Sequence, residues 1–225
     1  MRKKNNTTEW INEENNLFYD SIQTIGLKKF AAIAGLSTGC DLDILKPYWS
    51  KTRSILDIGA GYGRAINYLL QHDYKGTITA IERNNSFFEY LVKHYSHYQN
   101  ITLLQKDFLT LPNFNEQFDL IIILWLGIAD FSKKQQVIIF KKLRELLNDR
   151  GTIIIDTLPD HIQPLFSEDL GDRNCLIKSD NASIKSYLVS ADEIKMLAKN
   201  SGFPNIEKIS YHTTTQRERW LHIIS

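Results

Sequence analysis

Apolar and polar positions follow two rhythms along the chain, and the changes between them mark its elements. From residue 54 onward, short β-branched runs alternate with longer stretches of helical period. SILDI (54–58), a helix from about Gly63 to His72, TITAIE (77–82), a helix from about Ser86 to Tyr98 and ITLLQ (101–105) open the series. FDLIIILW (118–125), a helix from about Lys133 to Asn148 and GTIIID (151–156) continue it. Strands so continuously rich in Val, Ile and Leu must be covered on both faces, which predicts an α/β fold around a doubly wound, mostly parallel sheet. Ser132 with Gln135 and Ser190 with Glu193 have capping-box spacing, and Gly202 stands where a helix-ending glycine belongs.

After Gly202 the rhythm changes again. NIEKISYH (205–212) and ERWLHII (218–224) follow one another with only TTTQR between them, too short for a parallel crossover, so they pair as an antiparallel hairpin. Before residue 54, Ile11, Leu17, Phe18, Ile22, Ile25, Leu27 and Phe30 have loosely helical spacing. Residues 1–50 therefore read as a helical cap on a core of residues 51–225, within a single domain spanning 1–225. The segment 158–190 is longer than a crossover requires, and NASIKSYLVS alternates like a strand. Together with the cap around Trp10, Phe18, Tyr19 and Asp20, it is the candidate substrate lid.

Composition narrows the class. Among 225 residues, 27 Lys and Arg face 26 Asp and Glu, so the basic excess of a protein that lives on phosphate backbones is missing and nucleic acid is an unexpected partner. Cys40 and Cys175 are the only thiols and have no ligand-like spacing, which argues against disulfides or a metal and for a reducing compartment. The longest apolar run, Leu120 to Ala129, is closed by Asp119 and Asp130 at about half of the ~20 residues a membrane span needs. With no apolar stretch in MRKKNNTTEW, a cytoplasmic location is the expectation.

The first strand announces chemistry. In SILDIGAGYGRAINYLL, Asp57 precedes Gly59, Ala60, Gly61 and Gly63, and an amphipathic helix follows. Such a turn lets backbone approach a ligand and presents the free N–H groups of a helix start. A dinucleotide fingerprint counted from Gly59 needs Gly or Ala where Arg64 stands, and Asp57 would repel a pyrophosphate. An acid there suits an ammonium group instead. Glu82 ends the second strand, 19 residues beyond Gly63, where a carboxylate can grip both hydroxyls of a ribose; Arg83 follows it. After the third strand, Asp107 can accept from an exocyclic adenine amine while Phe108 lines the ring. Read together, these acids describe an amino acid joined to ribose joined to adenine.

On these residues, on FDLIIILW and on LRELLNDRGTIIID, the chain resembles the class I, seven-stranded, S-adenosylmethionine-dependent methyltransferases over roughly residues 50–225. The resemblance implies strand order 3-2-1-4-5-7-6 with strand 7 antiparallel. It also implies that Asp57 and the Gly59–Gly63 turn hold the methionine part, Glu82 the ribose, and Asp107 with Phe108 the adenine, with Arg83 a further cofactor-binding candidate. After the fourth strand the chain reads ILWLGIAD, without the Asn/Asp-Pro-Pro-aromatic motif of base and amide N-methylation. By the same resemblance Trp125 walls the transfer chamber, touching both cofactor and acceptor.

Asp107 to Phe131 contains no Lys or Arg, and Asp156, Asp160, Glu168, Asp169 and Asp172 follow, which predicts an acidic mouth favouring a cationic or amine acceptor. Asp130 and Asp160 are the candidates to position such an amine or accept its proton, and His161 is a candidate base. The expected activity is methyl transfer to nitrogen or oxygen of a small molecule. The alternatives are a protein or RNA methyltransferase and a non-catalytic S-adenosylmethionine-binding module.

Overall fold

The computed structural model describes residues 12–111, 116–179 and 182–225. The expected cap residues Trp10 and Ile11 lie outside them. The chain opens with α1 (Asn12–Ala34), α2 (Cys40–Ile44) and α3 (Lys46–Trp49). Then come β1 (Ser54–Ile58), α4 (Arg64–Gln71), β2 (Thr77–Glu82), α5 (Asn85–Tyr95), β3 (Ile101–Gln105), β4 (Phe118–Ile123), α6 (Lys133–Leu146) and β5 (Leu147–Thr157). Three short strands follow, β6 (Ser167–Gly171), β7 (Asn174–Lys178) and β8 (Ser183–Tyr187). The chain ends with α7 (Ala191–Asn200), β9 (Ile206–His212) and β10 (Glu218–Ile224).

Seven strands form one sheet in the order β3-β2-β1-β4-β5-β10-β9. β1 to β5 are parallel, whereas β10 runs antiparallel to both β5 and β9, so the terminal hairpin and the strand order are as expected. Along each inner strand, neighbouring residues enter opposite cores. Leu56, Ile121 and Ile153 pack with Phe140, Leu143 and Ile194 on one face, while Ile55, Leu120 and Ile154 pack with Leu42, Trp49 and Leu69 on the other. This two-sided burial is why the strands read as unbroken apolar runs.

Both capping boxes form, and Gly202 adopts a left-handed φ of 85° just past α7. The two largest boundary shifts are in α5 and β5. α5 stops at Tyr95 rather than Tyr98, and β5 starts at Leu147 rather than Gly151 because buried Leu147 extends to pair with Phe118.

The segment 158–190 carries a three-stranded antiparallel sheet, β6-β7-β8, outside the main one. Its edge strand β8 is met by α1: the Asn15 amide donates to the Lys185 carbonyl and accepts from its N–H, as a neighbouring strand would. α1 is kinked at Gln23, whose φ of 51° lies in the left-handed region. Its far end is tied to the terminal hairpin by the Thr214 N–H, which donates to the Gly35 carbonyl.

Candidate active site

A cavity of about 540 Å³ runs along the carboxyl ends of the parallel strands. Asp57 and Ile58, Ile81 to Arg83, Lys106 to Phe108, Leu124 to Leu126 and Leu158 bring β1 to β5 into its wall. α1 roofs it with Phe18, Tyr19, Ile22, Leu27 and Phe30, and β7 and β8 close a side with Ile177 and Ile184. This is where a doubly wound sheet places its ligands.

At the β1 end, Asp57 is 4% exposed, and its Oδ2 has no hydrogen-bond partner among the described residues. Burial raises its carboxyl to about 7, Glu82 pushing the same way against the pull of Arg64. An orphaned acceptor in a cavity wall calls for a cationic donor. The turn beyond is left-handed at Gly59, Gly61 and Gly63. Gly63 does not line the cavity. A Cβ there would stand 2.5 Å from a Tyr95 ring carbon, so this glycine seats α4 against α5. Above Gly61 lies Leu27 of α1, 3.3 Å from where a Cβ would be, an approach between segments that local sequence cannot signal.

Glu82 is buried at the end of β2. Its Oε2 accepts from the Gly61 N–H at 2.7 Å and its Oε1 from the Asn84 N–H at 2.8 Å, so the acid latches the glycine turn to its own strand end. Burial raises its pKa, opposed by those two N–H groups. Each oxygen retains lone-pair capacity for a hydroxyl. Arg83 reaches in the other direction, with Nη1 3.9 Å from Asp107 and Nη2 3.6 Å from Asp130. Asp107 also accepts from the Leu109 N–H, and Phe108 is buried beside it in the wall.

Beyond β4 the chain turns sharply, with Trp125 at φ 47° and Leu126 at φ 62°. The Trp125 N–H donates to Asp156 Oδ2 at 2.8 Å, and Asp156 is held in turn by Arg219 at 2.7 Å in a fully buried pair. The indole is half-buried and lines the cavity. Asp130 accepts from the Tyr19 hydroxyl at 2.7 Å; burial raises its pKa, against Arg83 and that hydrogen bond. Tyr19 is itself raised well above the ordinary phenol value, by burial first and Asp130 next.

The expected acidic mouth does not form. Asp160 is exposed outside the wall, accepting from Arg173 and from the Ala191 N–H at the start of α7. His161 is likewise exposed and does not line the cavity, whereas Ile162 and Gln163 do. Asp119 lies at the opposite end of β4, bonded to the Arg53 N–H and Asn148, and Glu168 is paired with Lys178. In the wall, Asp57, Glu82, Asp107, Asp130 and Glu218 are matched by Arg64, Arg83, Lys106, Arg217 and Arg219. No cluster of metal-ligating side chains occurs among the described residues.

Sheet order, glycine turn and strand-end acids are those of the class I, S-adenosylmethionine-dependent methyltransferase fold. Residues 55–151 match a family model described as a methyltransferase domain. Solved structures share the fold. The glycopeptide N-methyltransferase MtfA, complexed with S-adenosylhomocysteine, superposes with a TM-score of 0.66 at 16% identity, covering 84% of this chain and 89% of its own. The DhpI–SAH complex gives 0.67 at 13% identity over 94% of this chain and 95% of that one. An S-adenosylmethionine-dependent methyltransferase from Clostridium acetobutylicum ATCC 824 gives 0.66 at 16% identity over 95% and 98%. No curated protein sequence matches significantly. No helix among the described residues is long and apolar enough to cross a membrane.

Proposed function

We propose that the protein methylates a small molecule at nitrogen or oxygen, with S-adenosylmethionine as donor. The observation that carries this reading is Asp57, whose unpartnered Oδ2 sits at the foot of the glycine turn in the cavity wall, ready for the ammonium group of the methionine part. Glu82 then takes the ribose hydroxyls, while Arg83, Asp107 and Phe108 surround the adenine. Glycopeptide N-methylation by MtfA on the same fold supports a small acceptor.

The sulfonium already activates the methyl group, so the protein's task is to align a lone pair in line with the C–S bond and exclude water. Trp125 and the roof from α1 serve that task, with β6-β7-β8 as the lid. Asp130, a cavity-wall carboxylate that accepts from Tyr19 through Oδ2, is our candidate to take the acceptor's proton. His161, outside the wall, has no part in this reading. Screening amine and phenol metabolites for release of S-adenosylhomocysteine tests the proposal. Failure of the protein to bind S-adenosylhomocysteine at all would overturn it.

A further inference from the structure

The cavity is longer than its cofactor end. On the β5 and β10 side its wall includes Gln163, Ser186, His212, Gln216, Arg217 and Glu218, and its apolar part is formed by Trp125, Leu158, Ile162, Leu165, Ile177 and Ile184. These six apolar residues come from a β4 turn, the loop after β5, and β7 and β8. All but Ile184 are half-buried, so their remaining surface belongs to the cavity.

The two acids bordering this arm are already engaged. Asp156 is closed by Arg219 and the Trp125 N–H, and Glu218 accepts from Ser210 and from the Trp220 indole. Arg217 is exposed at the end of the hairpin. A charged group seated against those six apolar side chains would shed its hydration there, since the charge of this part of the wall lies with Arg217 and His212 on the exposed end of the hairpin. An apolar one would release water from both surfaces.

We infer that the acceptor is an uncharged, largely apolar small molecule, of aromatic size, that seats its body in this arm and presents a hydroxyl or neutral amine toward Trp125. The inference rests on the methyltransferase reading and narrows it to one acceptor class. In the transfer, a lone pair of the acceptor oxygen or nitrogen forms the new bond to the methyl carbon. The C–S bond breaks with its electron pair left on sulfur, giving the neutral thioether, and the acceptor's O–H or N–H proton passes to Asp130 or to water. The sites of specificity are then apolar residues of an inserted sheet and loop rather than carboxylates.

Three probes of one ring size decide the matter by titration into protein saturated with S-adenosylhomocysteine: 2-naphthol, 2-naphthoate and 2-naphthylmethylammonium. 2-Naphthol should bind at least about tenfold more tightly than either ion, with no dependence on salt. Ile162→Glu should weaken 2-naphthol by about tenfold. Ile177→Ser, on a different element, gives the same readout if the first variant fails to fold. Tighter binding of either ion, indifference to both substitutions, or no binding of 2-naphthol overturns the inference. Should S-adenosylhomocysteine itself not bind, the cofactor reading falls, and the same titrations on the free protein still decide the nature of the arm.

Discussion

At the β1–β3 end of the cavity, each polar group lies at or just beyond the end of the strand that presents it. Asp57 is the last residue but one of β1, Glu82 closes β2, and Asp107 follows β3. At the β4–β5–β10 end, almost every contact joins residues far apart in the chain. Tyr19 holds Asp130, Arg219 holds Asp156, and Ile177 and Ile184 arrive from an inserted sheet. The first end needs only a parallel sheet and one tight turn, so a common fold brings it along intact. The second depends on how this chain packs its additions, and it is there that we propose the acceptor is chosen.

The contrast can be broken most forcefully at Arg219. Arg219→Met leaves Asp156 buried without its partner and removes the clamp on the Trp125 turn, which should cost about 3–5 kcal/mol of stability. Urea unfolding measures it. An unchanged midpoint would mean that the far end is not held by this pair.

The next effect falls on the cofactor end. Glu82→Ala removes the latch between β2 and the glycine turn along with the expected ribose contacts, and should weaken S-adenosylhomocysteine binding by about 1.5–3 kcal/mol. Titration calorimetry with a parallel melt separates lost binding from lost fold. Wild-type affinity would remove the end of β2 from the cofactor site.

How far the sequence carries follows the same division. Asp57, the glycines, Glu82 and Asp107-Phe108 were legible because their meaning depends on position within one βα unit. The sheet order was legible because two-sided burial writes itself into each strand. The acidic mouth was not, since counting carboxylates ignores their partners. Asp156 looked available until Arg219, on β10, closed on it, and Asp160 until Arg173 did. The kink at Gln23 and the approach of Leu27 to Gly61 have no local signal at all, because packing between segments imposes them. Helical spacing before residue 54 announced a cap without saying what it would touch.

Titration sharpens the comparison further. Burial holds the Asp57 carboxyl at about 7 in the free protein, above its ordinary 3.8. The folded state therefore keeps a proton that the unfolded chain gives up, and this group's contribution to stability fades as pH rises from about 4 towards 7. Cofactor binding has the opposite sign, because the ammonium group prefers the ionised carboxylate. Affinity for S-adenosylhomocysteine should fall below pH 7, approaching tenfold, about 1.4 kcal/mol, per unit, and decline again above about 8 as the ligand's amine loses its proton. In Asp57→Asn the acid limb should vanish. An acid limb that survives this change would assign the titration to another group.

The smallest expected effect tests whether the roof belongs with the acceptor end. Tyr19→Phe keeps the ring, its edge contact with Phe87 and its packing on Phe18, but removes the hydroxyl that donates to Asp130. One hydrogen bond to a carboxylate is worth about 1.5–3 kcal/mol, and Arg83 Nη2, 3.6 Å from the same oxygen, stands ready to recover part of it. The net loss should therefore be about 1 kcal/mol, read as faster amide exchange along the part of α1 before its kink at Gln23. Beyond the kink, Lys28 still donates to the Tyr90 hydroxyl and lies over the Tyr62 ring, so that half of α1 should keep its protection. Cofactor affinity should change little, since Asp57 and Glu82 make no contact with this hydroxyl. Equal loosening of both halves of α1 would show that the helix docks as one rigid piece, and an equal loss of cofactor affinity would show that Tyr19 belongs to the cofactor end instead.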